Sequence, residues 1–236
     1  YEGAYVKAPQ KGRHKWIVSF DLNSLYPHLI MQYNISPETI LGTWQDDIGV
    51  EGLLNKEFDT SVWKEKNVTV TPNGSVYRKD KQGFLPKLME SMYNDRVTYK
   101  QLMLEEQKKG RNADPNKLSQ YYNYQQNLKI ALNSAYGAMG NQWFRYYDER
   151  NAEAVSVAGQ LSVQWAENAV NNYLNTTLGT VNKDYIVAMD TDSLYVCLGD
   201  LVSKIGITDD KKIVDFLDKA CGRIEGVKIG RASCRE

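Results

Sequence analysis

The alternation of apolar and polar positions defines most elements of this chain before any composition is counted. "WIVSFDL", Trp16 to Leu22, is aromatic and β-branched and is bounded by the charged run "KGRHK". It predicts a buried strand ending at Asp21. In the following "NSLYPHLIMQYN", Pro27 suits the first turn of a short helix. "VTVTPNGSVY", Val68 to Tyr77, predicts a β-hairpin, with Asn73-Gly74 supplying positive φ. Between about Gly42 and Lys66 no pattern emerges. A helical stretch then runs from Pro86 to about Lys109, is broken by "GRNADPN", and resumes from about Asn116 to Tyr136, which predicts a helical hairpin. A third helix over 151–178 carries Ala154, Val157, Ala158, Leu161, Trp165, Ala169, Val170 and Leu174 at helical spacing. "YIVAMDTDSLYVCL", Tyr185 to Leu198, reads as a buried hairpin with two carboxylates at its tip. "SKIGITDDKKIVDFLDKACGRI" predicts one more helix, with Ile213, Phe216 and Leu217 on one face.

Composition narrows the class. The 236 residues are 42% hydrophobic and 25% charged, enough for one large domain or two smaller ones. No apolar run reaches the ~18 residues of a membrane span, and no membrane partner is expected. Three cysteines, Cys197, Cys221 and Cys234, show neither CxxC nor paired spacing, which speaks against a disulfide framework or a zinc site. The start lacks both Met and the basic and apolar regions of a signal peptide, so the chain is expected to begin in mid-protein. "IGRASCRE", Ile229 to Glu236, resembles the translated read-through of a sequencing adapter and is set aside as non-native. Formal net charge is zero, but Leu85 to Lys129 holds eight Lys/Arg against five Asp/Glu, a local excess of 8 − 5 = +3. That leaves room for a local basic groove.

The chemistry lies in separated stretches. Asp21 ends one strand, while Asp190 and Asp192 sit at a hairpin tip. A lone DxD is more often a solvated turn, but buried flanks make this an expensive place for acids. Like charges about 4 Å apart repel by roughly 4 kcal/mol at an effective dielectric near 20. Two Mg²⁺ ions about 3.5–4 Å apart would offset this and support in-line nucleotidyl transfer. The turn over Asn23-Ser24-Leu25 offers backbone N–H groups to phosphate. Tyr26 then either lies near a bound sugar or packs in the core. On the helical hairpin, Arg96 and Lys100 share a face, as do Lys129, Asn133, Tyr136 and Gly137. Three such cations suit a triphosphate, although any single Lys more often solvates its helix.

"SFDLNSLYPHLI", "KIALNSAYGAMGNQWFRYYD" and "MDTDSLYV", in this order, resemble the three polymerase motifs of family B DNA polymerases. "EGAYVKAP", "NISPETI" and "GNQWFRYYDERNA" bring the likeness nearest to the enzymes of T-even-type tailed phages, and it covers nearly all of Tyr1 to Lys228. The resemblance implies an α+β fold: a palm of antiparallel sheet backed by helices, over 1–82 and 141–228, with a helical-hairpin fingers domain inserted at 83–140. It implies a DNA-templated polymerase that adds dNTPs to a primer 3′-OH. Asp21 and Asp192 would be the catalytic, metal-binding acids, with the Leu22 carbonyl as a further ligand of two Mg²⁺ ions and Asp190 as a supporting acid. Ser24, Leu25 and Tyr26 would cradle the nucleotide, with Tyr26 as a gate against a ribose 2′-OH. Arg96, Lys100, Lys129 and Asn133 would hold the triphosphate. Tyr136 and Gly137 would meet the nascent base pair and template, and Tyr1 and Gly3 the template strand.

Further implied partners are primer–template DNA and a sliding clamp reached through sequence beyond Lys228, in the cytoplasm of an infected bacterial host. Exonuclease and thumb would lie outside this stretch, leaving it weak or inactive alone. Two residues depart from the family pattern: His28, expected to repack locally, and Met189, whose side chain is expected near the primer end. The competing readings are an RNA-templated polymerase and a non-catalytic nucleic-acid-binding fragment.

Overall fold

Most elements form where the apolar pattern places them, and capping side chains set several boundaries. The computed structural model describes residues 3–44 and 48–226. Tyr1 and the 229–236 tail lie outside them. In chain order the elements are β1 (Val6–Lys7), β2 (Ile17–Asp21), α1 (Leu25–Tyr33), β3 (Ile40–Thr43), α2 (Val50–Leu54), α3 (Ser61–Lys64), β4 (Val68–Val70) and β5 (Ser75–Arg78). There follow α4 (Phe84–Lys108), α5 (Pro115–Met139), α6 (Glu149–Leu178), β6 (Ile186–Asp190), β7 (Ser193–Cys197), α7 (Gly199–Ile205) and α8 (Asp210–Ile224). Among the described residues this mixture of helices and antiparallel sheets forms two compact units, one of residues 26–44, 48 and 58–155, the other of 3–25, 49–57 and 156–226.

The second unit is built on a four-stranded antiparallel sheet, ordered β1-β6-β7-β2. Its inner face presents Phe20, Met189, Leu194 and Val196 to Val163, Ala166, Val170 and Leu174 of α6. Val202 of α7 and Ile213, Leu217 and Ile224 of α8 complete this core. The helix expected over 203–224 is in fact two. Gly206 adopts φ 67° and ends α7, and Asp209 caps α8 by accepting from the Lys212 N–H. Met189 is 1% exposed and faces this core. Trp165 corrects the expected stripe: it is exposed, and Val163 and Ala166 take the core positions instead.

The first unit contains the hairpin of β4 and β5, with β3 added on its other side in the order β3-β5-β4. Of the turn residues Asn73 and Gly74, Gly74 alone takes positive φ, at 78°. The third strand was invisible in the pattern. Helices α4 and α5 form the expected hairpin, packed along their length. Tyr99 of α4 stacks on Tyr124 of α5 at 4.8 Å, and Met89 and Leu132 are buried in the same core as Tyr77. Asp114 caps α5, with Pro115 at its first position. At the hairpin tip the Glu106 carboxylate accepts from the Asp114 N–H at 2.8 Å and pairs with Lys109 at 2.6 Å. Those contacts hold the Glu106 carboxyl below its ordinary range, the Asp114 N–H contributing most.

The "NISPE" stretch proves to be the clasp for α4. Gly83, Phe84 and Leu85 have N–H groups that no helical turn can satisfy. They donate to Asn34 Oδ1 at 2.8 Å, Glu38 Oε1 at 2.5 Å and Ser36 Oγ at 3.4 Å, respectively. Asn34 also donates to the Arg78 and Lys81 carbonyls. A Cβ on Gly83 would stand 2.6 Å from Ser36 Cβ and 2.9 Å from Thr39 Cγ2, so the close approach needs glycine there.

Candidate active site

The sheet register builds the acidic site. Directly opposed residues of antiparallel strands share a face. Val6 opposes Asp190, Asp190 opposes Ser193, and Ser193 opposes Asp21. These four therefore form one row on the sheet face turned away from the core, with neighbouring strands about 4.8 Å apart. Asp192 occupies the two-residue turn between β6 and β7, and its carbonyl accepts from the Leu22 N–H at 2.9 Å. The end of β2 is thereby tied to the turn.

The side chains meet at Ser193. Its Oγ lies 3.3 Å from Asp21 Oδ1 and 3.4 Å from Asp192 Oδ1. One hydroxyl carries one proton, so it satisfies one carboxylate at a time. Burial, followed by the charges of Asp21 and Asp190, raises the Asp192 carboxyl above its ordinary range. This is the behaviour of like charges gathered without a counterion. Asp190 is exposed and accepts from Thr191 Oγ1 at 3.0 Å. Among the described residues no three His, Cys, Asp or Glu side chains gather into a metal cage. Asp21 and Asp192 thus offer a carboxylate pair, not a closed site. That donor set fits a hard divalent cation completed by carbonyl, water and phosphate oxygens.

The segment Gly3–Lys7 runs beside Asp190 and the turn at Thr191. Gln160 donates to the Gly3 carbonyl at 2.7 Å, and the Tyr5 carbonyl accepts from the Thr191 N–H at 3.1 Å. Asp21, Leu22, Ser24, Leu25, Asp190, Asp192 and Gly3 all belong to the second unit. Leu25 is buried and Ser24 takes φ 53° in the turn after β2. Sequence reasoning missed Ser193 and Thr191. Their signal was present: a two-residue turn forces an unusual backbone, and a hydroxyl next to Asp192 faces whatever Asp21 faces.

The remaining candidates lie in the first unit. Tyr26 and Tyr136 meet, with ring centroids 4.6 Å apart at 57°, and both border the core around Tyr77. Lys100 and Lys129 are exposed on α4 and α5, and Arg96 is half-buried on α4. Asn133 and Gly137 are exposed on α5, and a Cβ on Gly137 would meet nothing within 4 Å. His28 packs edge-on against Tyr93, with centroids 4.6 Å apart.

Sequence comparison places this arrangement in a class. Residues 1–220 match the family model described as DNA polymerase family B, and the chain belongs to that family. It is 35% identical to a DNA-directed DNA polymerase of Escherichia phage RB69, over 93% of this chain and 29% of the relative. The corresponding enzyme of Enterobacteria phage T4 is 33% identical, again over 93% of this chain and 29% of the relative. DNA polymerase 1 of Pyrococcus abyssi is 31% identical over 84% of this chain and 21% of that protein. The chain therefore spans less than a third of the length of these relatives. Among the described residues no helix is long and apolar enough to cross a membrane.

Proposed function

We propose that this chain supplies the palm and fingers of a DNA-templated DNA polymerase, with 1–82 and 141–228 as palm and 83–140 as fingers. The observation that carries the reading is the Asp21–Ser193–Asp192 constellation at the end of an antiparallel sheet, in a family whose phage members are named DNA-directed DNA polymerases. Asp21 and Asp192 would hold two Mg²⁺ ions together with the Leu22 carbonyl, Asp190 assisting from the same sheet face. When bound, such ions make a primer 3′-OH a better nucleophile and neutralise charge on the pyrophosphate.

The chain's own groups do the rest. The backbone over Ser24 and Leu25 binds phosphate oxygens. Arg96, Lys100 and Lys129, with Asn133, hold the triphosphate of a dNTP, and α4 and α5 keep them on rigid helices. Tyr26 sits against Tyr136, which limits how far its ring can turn aside. A fixed ring there leaves no room for a ribose 2′-OH. The open side of Gly137 admits the base pair and template, and Gly3, held by Gln160, lies along the template strand, for which Tyr1 is a further candidate contact. Primer–template DNA and dNTPs are the substrates, and a sliding clamp is a partner of the whole enzyme. A chimera tests the proposal: this chain replaces the matching segment of the phage RB69 polymerase, and primer extension is followed. The chimera should extend primers, and Asp21→Asn or Asp192→Asn should abolish extension without lowering the melting temperature. Extension at the parental rate after either change would refute the assignment.

A further inference from the structure

Side chains bolt the turn between β4 and β5 to the start of α6. Asn73 Nδ2 donates to the Arg150 carbonyl and to Glu153 Oε2, each at 3.1 Å. Asn73 Oδ1 accepts from Thr71 Oγ1 at 2.7 Å and from the Ser75 N–H at 3.3 Å. Further along β5 the Tyr77 hydroxyl donates to Asn151 Oδ1 at 2.9 Å. Thr71, Ser75, Tyr77 and Asn151 are all buried, none more than 1% exposed. A polar group at that depth either finds a hydrogen bond or costs stability.

Protein groups do not satisfy all of this cluster. Among the described residues, Ser75 Oγ and Asn151 Nδ2 have no hydrogen-bond partner. Both border the same phenol. Ser75 and Tyr77 stand two apart on β5 and so point to one face of the strand. Asn151 already touches the Tyr77 hydroxyl. Burial raises the pKa of Tyr77, and the Ser75 side chain is the largest influence opposing that rise. The Ser75 hydroxyl therefore lies close to the phenol, although outside direct bonding geometry with it. Turning the Asn151 amide over moves the deficit to its oxygen without removing it.

We propose that Ser75 Oγ, Asn151 Nδ2 and the Tyr77 hydroxyl together hold one buried water molecule, which completes the bolt between β5 and α6. Water suits these groups. It accepts from the amide N–H and exchanges hydrogen bonds with two hydroxyls, which makes three partners, the usual number for a buried water. A monovalent cation does not suit them. Tyr77 already engages the Asn151 oxygen, and the amide turns N–H groups toward the gap, which repel positive charge. The site belongs to the first unit and uses none of the acids of the second.

Two measurements on the 236-residue chain test this. The first is a crystal structure fine enough to show ordered solvent, from crystals grown with Rb⁺ as a probe for cations. It should show one water about 2.7–3.2 Å from both Ser75 Oγ and Asn151 Nδ2, with no Rb⁺ anomalous signal there. Rb⁺ at the site, no density there, or a direct bond from Ser75 to Asn151 or Tyr77 would overturn the proposal. The second is the thermal melt of Ser75→Ala, a change small enough to leave the fold in place. If the water is held, the variant loses one of its bonds and should melt lower by roughly 2–4 °C, the effect of one ordinary hydrogen bond in a chain of this size. If Ser75 Oγ is a true orphan, deleting it relieves a buried unsatisfied group and the variant melts higher. An unchanged or higher melting temperature would therefore contradict the water bridge.

Discussion

Asp192 shows how one carboxylate links site and stability. Burial and the charges of Asp21 and Asp190 raise its pKa in the folded chain. The folded state therefore holds the Asp192 proton more tightly than the unfolded state does. Stability from this group is fully present below the ordinary Asp pKa of about 3.9 and is lost as pH rises through the folded value. At neutral pH the ionised carboxylate thus works against folding. Asp192→Asn should raise the melting temperature at pH 7, and the difference should vanish near pH 3, below the ordinary range at about 3.9. Added Mn²⁺ should stabilise wild type and not the variant, because a ligand stabilises only the state that binds it. Thermal melts across pH, with and without Mn²⁺, check all three points. A destabilised Asp192→Asn at pH 7 would contradict the account. A hydrogen bond from the Asp192 backbone, and then one from the Ser193 hydroxyl, oppose the rise in its pKa.

Among the elements, α4 depends most on side chains remote in sequence. Its first N–H groups end on Asn34, Ser36 and Glu38, and Gly83 packs where no Cβ fits. Glu38 keeps its carboxyl below the ordinary range although burial opposes this. Bonds from Ser36 and the Phe84 N–H outweigh the burial, with help from Lys81. Glu38→Ala should cost about 1 kcal/mol, the usual worth of a helix cap. Gly83→Ala should cost about 1–3 kcal/mol through overpacking. Urea denaturation gives both values, and a neutral Gly83→Ala would mean that the clasp is looser than described. The same clasp shows why sequence reading stopped short. "NISPE" was recognisable as a family stretch, but its capping role depends on Gly83, dozens of positions away. Helices α4, α5 and α6 were legible because their apolar spacing and Pro or Gly stops are local. Strand β3 was not, since three of its four residues pair with β5 across an unpatterned gap. The α7–α8 break rests on one left-handed glycine, Gly206, which a periodicity count passes over.

At the scale of the molecule, each unit has its own core, and each gathers part of what the motif order implied. The sheet of the second unit brings Asp21 to Asp192 across 171 positions (192 − 21), which no local pattern can show. The first unit brings Tyr26 to Tyr136, and carries Arg96, Lys100 and Lys129 on its helical hairpin. What the sequence lacked was depth. Met189 sits one residue from Asp190, yet strand alternation turns it into the core. Trp165 fitted a helical stripe by spacing, yet the buried arc of α6 is centred on Val163, Ala166 and Val170. The central claim is that Asp21 and Asp192 together bind the divalent cations of a polymerase. Anomalous diffraction from crystals of the chain grown with Mn²⁺ and a dNTP tests it most directly. The account predicts manganese density between the Asp21 and Asp192 carboxylates, in contact with triphosphate oxygens. Manganese bound elsewhere, with none at this pair, would contradict it.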